Sequence, residues 1–442
     1  MSTSRPAFRW RSIALPALLP TLLFSIGEGA IIPIIPVAAG NLGATLAIAG
    51  LIAGLLTIGE LFGNIPSGSL IARVGERPAM IGASALAILG LLVSLGASHP
   101  AVLGLGILLI GLSGAVFALA RHAFMTSYVP FAYRARALST LGGTHRAGFF
   151  IGPILSALTI EMTGDVTSAF WLHILACLGA ALVLLTMPDP EATFGATRAT
   201  RHDHRDVLAD GDLPAAGEPA GLLRTMYRSR ELLARVGVGA ALVGALRASR
   251  AVILPLWALS IGVGASDTAL IIGIAGAVDF ALFYAGGAVM DRFGRLWTAV
   301  PAMVGLGFGH LLLAGTRDLP ASVEWFVAAA MVMSIANGFS SGILMTLGAD
   351  LADRRNPAPF LGAWRFTTGI GGASSPLVIA GVTAVASLPA AAAVVGLAGL
   401  VGAGVLGRYV PRFVPRASPH PSRSHAAEPD NERRRKSSEE EA

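Results

Sequence analysis

Charge is what this sequence lacks. Only 13% of its 442 residues are charged, about half of the roughly 25% usual in a soluble globular domain. That excludes an ordinary soluble fold and puts the chain in the membrane class. There is one cysteine, Cys177, inside an apolar run, which excludes a disulfide framework and a thiolate metal site. Lys436 is the only lysine, so the formal charge of +6 is owed to arginine. The chain has no G-x-x-x-x-G-K-[ST] and no H-E-x-x-H, which argues against ATP-driven transport and zinc hydrolysis. Two enzyme-like strings do not count. Gly338-Phe-Ser340-Ser341-Gly342 fits a nucleophile elbow but lies inside an apolar run with no strand before it. Gly402-Ala-Gly404-Val-Leu-Gly407 fits a dinucleotide fingerprint without its strand and helix. No enzyme activity, cofactor, metal or nucleic-acid partner is expected. The first apolar segment is too long for a cleavable signal, and no A-x-A-like site follows it.

What is there is apolar length. Hydrophobic residues make up 54% of the chain. A span needs about 20 mostly apolar residues. That ruler predicts six spans at 13–39, 45–71, 79–98, 102–127, 137–161 and 167–187, and six more at 233–259, 267–291, 297–315, 323–349, 359–385 and 388–408. The fold class is an all-α membrane protein of twelve transmembrane helices. Four regions follow: a six-helix half at 1–187, a polar linker at 188–232, a second half at 233–408 and a disordered tail at 409–442. The linker's end, Leu222 to Arg228, reads as a short interfacial helix. The tail's basic cluster, Arg433 to Lys436, reads as solvated.

Arginine placement sets the orientation. With the N-terminus inside, 26 of the 32 basic residues are cytoplasmic, five lie within spans and only Arg317 faces out. Both termini are therefore expected in the cytoplasm, with the chain a multi-pass monomer of the plasma (inner) membrane.

The two halves repeat at an offset of 219 residues. Pro36 maps to Pro255, Gly43 to Gly262, Glu60 to Asp279 and Arg146 to Arg365, while Glu28 maps to Arg247 with reversed sign. Six spans per half, an even number, make the repeat parallel, about an axis along the membrane normal. Between spans 8 and 9 stand Gly287, Asp291, Arg292, Gly294 and Arg295; between spans 2 and 3 stand Gly68, Arg73, Gly75 and Arg77, with Ala72 in the place of the acid and Glu76 in that of a base. With these two loops and twelve spans the chain resembles the major facilitator superfamily of secondary transporters, over about residues 10–408. Gly148, Gly152 and Pro153 in span 5 are similar to the glycine-proline motif of its drug or metabolite–proton antiporter branch. The resemblance implies a gate at the two loops and a central cavity lined by spans 1 and 7. The gate is expected to be weighted toward 287–295, so that Asp291→Asn impairs transport. The arginine usual in the outer half of span 4 is missing, since Leu103 to Ala115 carries no charge, and Arg121 lies deeper.

Eight charged residues fall well inside spans: Glu28, Glu60, Arg121, Arg146, Arg247, Arg250, Asp279 and Arg365. Each costs about 2.5–3.5 kcal/mol at a helix centre unless it pairs or meets water. Glu28, near mid-bilayer, reads either as a proton site or as one end of an ion pair with Arg247. Glu60 and Asp279 read as proton carriers or as interhelical pairs. Arg247 and Arg250 share a helix face; they read as an anion clamp, or as the counter-charges of Glu28 and Asp279. Arg146 joins them in the candidate site, and Arg365 can snorkel to the surface. His145, His173, His310 and Asn337 read as hydrogen-bonding groups between helices before relays or ligands. The function expected is proton-coupled export of a small amphipathic molecule. The alternatives are a carrier of an organic anion or zwitterion, and a non-transporting membrane sensor or scaffold.

Overall fold

The computed structural model describes residues 10–129, 131–187, 222–353 and 357–413. Among these, every regular element is a helix. The first half comprises α1 (Trp10–Ile31), α2 (Ile35–Asn41), α3 (Leu46–Val74), α4 (Glu76–Leu95), α5 (Pro100–Tyr128), α6 (Phe131–Thr163) and α7 (Ser168–Thr186). A short α8 (Leu222–Arg228), where an interfacial helix is expected, packs on the second half. That half comprises α9 (Arg230–Ser260), α10 (Ala265–Phe293), α11 (Leu296–Thr316), α12 (Ser322–Phe339), α13 (Ile343–Leu351), α14 (Pro357–Val385) and α15 (Leu388–Phe413).

Ten helical stretches among the described residues are long and apolar enough to cross a membrane, and the bent pair α1–α2 makes an eleventh. The twelfth member of the bundle is α6, 33 residues long, whose hydropathy is depressed by His145 and Arg146 in its middle. All twelve expected spans are therefore present, in order. The last runs through Phe413 instead of ending at 408. The linker from 188 to 221 and the tail from 414, with its basic cluster, lie outside the described residues.

Two spans are broken. Span 1 bends by 42° between α1 and α2, at Pro33, which lacks the N–H a continuous helix needs. Span 10 unwinds at Ser340–Gly342 between α12 and α13, and Gly342 takes φ +81° there. Irregular backbone at membrane depth persists only where it is buried in protein or lines a cavity, and this turn does so.

The internal repeat reaches the backbone. Gly43 and Gly262 have φ of +83° and +76°, and Gly75 and Gly294 have +88° and +97°. Each pair closes an equivalent loop in a conformation that favours glycine. The halves meet through α3 with α14 and α6 with α10. Close contacts between them gather away from the two loop motifs: a Cβ on Gly50 would lie 2.8 Å from Leu256, and one on Gly273 would lie 2.7 Å from Ile154. Nearer the motifs, Gly68, Gly142, Gly287 and Gly362 have nothing within 4 Å of such a Cβ. The tightest of these contacts thus lie away from the loop motifs, although a Cβ on Gly143 would lie 3.3 Å from Tyr284 Oη across the halves.

Candidate functional site

A cavity of about 270 Å³ lies between the halves. Its polar wall is built from α6, α9, α10 and α12. Arg146 Nη1 donates to Asp279 Oδ1 at 2.7 Å, joining the two halves. Arg250 Nη2 donates to Asp279 Oδ2 at 3.1 Å, and Asn337 Nδ2 donates to the same oxygen. Arg250 Nη1 also reaches Ser334 Oγ at 2.7 Å. Asp279 is 6% exposed, so these donors replace the water its charge has lost. Arg247 pairs with no acid. Its Nη2 donates to the carbonyl (2.5 Å) and hydroxyl (2.7 Å) oxygens of Ser340, in the unwound turn of span 10. The remaining wall is apolar, from Ile32, Phe149, Leu254, Ile272 and Phe280.

A second, smaller pocket of about 160 Å³ lies inside the first half. Glu28 (α1), Glu60 (α3) and Arg121 (α5) line it together, and Arg121 acts electrostatically on both carboxyl groups. Gly114 makes the room: a Cβ there would sit 3.4 Å from Glu28 Oε1 and 3.9 Å from Glu60 Oε1. His145 lines both chambers. Its Nδ1 lies 2.8 Å from Ser25 Oγ and 3.2 Å from Arg121 Nη1. A guanidinium only donates, so Nδ1 accepts and the neutral ring carries its proton on Nε2.

The sequence-derived residues therefore sort into two sites. Arg146, Arg247, Arg250 and Asp279 share the cavity, while Glu28 and Glu60 share the side pocket. The Glu28–Arg247 ion pair, one of the two readings offered for Glu28, does not form among the described residues, because each side chain finds its neighbours inside its own half. Glu60 and Asp279, equivalent in the repeat, serve different chambers. Arg365 is exposed and lines neither. Arg121, set aside at the sequence level, supplies the charge that the outer half of span 4 lacks. The signal was its spacing, two helical turns beyond Gly114 and so on the same face. Ser334 carried no motif, Ser340 stood only in the discounted enzyme-like string, and only the break in span 10 brings Ser340 to Arg247. Among the histidines, His310 bridges Ser249 Oγ and the Leu306 carbonyl, each at 2.8 Å, and His173 packs edge-on against Phe24. Asn337, expected as glue, lines the cavity as well. Among the aromatic side chains, Phe280 lines the cavity, whereas Trp257 is core, Trp364 Nε1 is bonded to the Leu344 carbonyl at 2.8 Å, Tyr284 is exposed and Phe283 lies under Arg146.

The glycine-proline motif is a packing device. Gly148 and Gly152 face the α1 backbone, and Pro153 borders the cavity. The two loop motifs differ in their contacts. Arg77 caps the end of α7, donating to the carbonyls of Leu184 (2.6 Å), Leu185 (3.2 Å) and Met187 (3.0 Å). Arg73 is exposed. Arg295 donates through Nε to Asp350 Oδ2 at 2.8 Å and lies 3.6 Å from Asp291, whose side chain is 79% exposed. The hydrogen bond that Arg295 donates to Asp350 leads the causes that raise the Arg295 pKa above its ordinary value. Arg292 stacks over Phe293. Asp350→Ala is expected to lower the melting temperature measurably, by the equivalent of about 1 kcal/mol at most. Asp291→Asn should leave it unchanged and slow flux instead. Equal melting shifts for the two variants would contradict this assignment of partners.

The comparisons with known proteins agree with this architecture. A family model described as Major Facilitator Superfamily matches residues 17–376 and 236–438. Among solved structures, a D-xylose-proton symporter superposes with TM-score 0.69 at 15% identity, covering 92% of this chain and 98% of that one. A POT peptide transporter in complex with sulfate gives 0.71 at 16% identity, covering 91% and 95%. The inward-open xylose transporter of E. coli gives 0.68 at 15% identity, covering 91% and 96%. At these identities the likeness is one of fold. No curated protein sequence matches. Twelve helical spans in two six-helix halves, a cavity between the halves and a family match over most of its length place this chain in the Major Facilitator Superfamily.

Proposed function

We propose that this protein is a proton-coupled secondary transporter that exports a small amphipathic organic molecule by alternating access. The observation that carries the reading is the gathering of Glu28, Glu60 and Arg121 in a pocket of their own beside the cavity. Two buried carboxyl groups in one pocket favour holding a proton between them over carrying two negative charges. Arg121 stabilises the pair once that proton has left. His145, touching Arg121 and lining both chambers, gives the pocket a route to the cavity. Loading and unloading of the acid pair then biases which way the halves rock around Arg146–Asp279. The arginine distribution puts the end bearing the loop motifs, with both termini, in the cytoplasm. The protein acts as a monomer in the plasma (inner) membrane and is not an enzyme.

Glu28→Gln in reconstituted vesicles is the test. It is expected to abolish acceleration of flux by a pH gradient while cargo exchange without a gradient persists. Undiminished proton-driven flux in that variant would exclude the acid pair as the coupling site. A wild-type protein that moves no organic cargo in either direction would favour the non-transporting reading.

A further inference from the structure

We infer that the cargo of the central cavity is an organic anion, a carboxylate attached to an apolar body. This deepens the transport reading, and rests on it only in calling the ligand cargo. Charge is the first argument. Three arginines (Arg146, Arg247 and Arg250) and one acid (Asp279) line the cavity. Asp279 is fully engaged by Arg146, Arg250 and Asn337. The Glu28–Glu60 pair does not balance the excess, since it sits in a separate pocket with its own arginine.

Hydrogen bonding is the second argument. Among the described residues, the buried Nε of Arg247 has no partner, and the only groups that Arg247 bonds are the neutral oxygens of Ser340. A guanidinium presents a planar fork that matches a carboxylate. An anion entering here supplies the missing charge. Arg250 lies one helical turn further along the same face of α9, and Arg146 faces them from the other half, so an anion draws on both halves at once. The apolar wall of Phe149, Phe280, Leu254 and Ile272 suits the cargo's body. A zwitterion fits less well, because its ammonium group would have to displace an arginine or Asn337 from the one available acid.

Binding to purified protein in detergent micelles tests this without flux. The probes are 2-naphthoate, the neutral 2-naphthamide and the cationic 2-naphthylmethylammonium, followed by calorimetry. The carboxylate is expected to bind at least about tenfold more tightly than the amide, with the cation weakest. Arg247→Gln should erase the preference for the anion over the amide. Arg247→Lys, which keeps the charge, should weaken binding but retain the preference, and it covers the case in which the glutamine variant does not fold. Sulfate in excess should leave 2-naphthoate bound. Equal binding of the three probes, tightest binding of the cation, no saturable binding of the carboxylate, or displacement by equimolar sulfate would overturn the proposal. So would an unchanged anion preference in Arg247→Gln, or its loss in Arg247→Lys. Glu28→Gln should keep the anion preference, so a failure of proton coupling and a failure of anion recognition give different results.

Discussion

Asp279→Ala is expected to destabilise the protein by about 3–5 kcal/mol, the usual consequence of removing one partner from a buried charge cluster. The alanine leaves Arg146, Arg250 and the Asn337 amide without their shared acceptor. It also cuts the ion pair between the two halves at the cavity. Asp279→Asn, close in shape but uncharged, should lose less. Arg250→Ala placed on top of Asp279→Ala should recover part of the loss, since it removes an uncompensated charge; the coupling is read from the double-mutant cycle. Equilibrium unfolding in mixed micelles measures wild type, the two Asp279 variants, the Arg250→Ala single variant and the double variant. An alanine variant within about 0.5 kcal/mol of wild type, the scatter of neutral surface changes, would mean that water serves the arginines as well as Asp279 does.

Gly152→Val is expected to produce the other large effect, at or beyond the upper end of the roughly 1–3 kcal/mol typical of overpacking. A Cβ at 152 would run into the Ile26 carbonyl oxygen and come within 2.7 Å of the Ala30 nitrogen. These are backbone atoms of α1, so no rotamer change relieves the clash and the helices must separate. Small residues permit such close approach between membrane helices. The contact matters for function because α1 carries Glu28 and α6 carries His145 and Arg146; separating them loosens both chambers. Gly142→Val is the control on the same helix, since nothing lies within 4 Å of a Cβ there. Thermal unfolding should show Gly152→Val well below wild type and Gly142→Val close to it. Matching melting temperatures for the two variants would show that the motif is not needed for packing.

The difference between these sites and the rest of the chain lies in what a linear pattern encodes. The spans were legible because crossing a bilayer demands a minimum apolar length from each segment separately. The repeat was legible because equivalent loops impose the same backbone on the same glycine, as at Gly43 and Gly262 or Gly75 and Gly294. Even α6, whose hydropathy is spoiled by His145 and Arg146, was found from its flanking runs. The sequence also announced that its buried charges must find partners, since an isolated one is too costly in lipid.

Which partners they find was a different matter. The 219-residue offset set Glu28 opposite Arg247, yet equivalence under a repeat axis is not contact. The rotation of α1, α3 and α5 turns Glu28 toward Glu60 and Arg121, and that of α9 turns Arg247 toward Ser340. The unwound turn at Ser340–Gly342 hid within an apolar run, because its hydrogen bonds go to a helix 93 residues away in sequence. From sequence alone, then, came twelve spans, two halves, the family resemblance and the list of charges that had to be satisfied. Only the tertiary structure decided that those charges form one acid-rich and one arginine-rich chamber. Helix depth follows from local apolarity, whereas helix rotation is fixed by packing against neighbours distant in the chain.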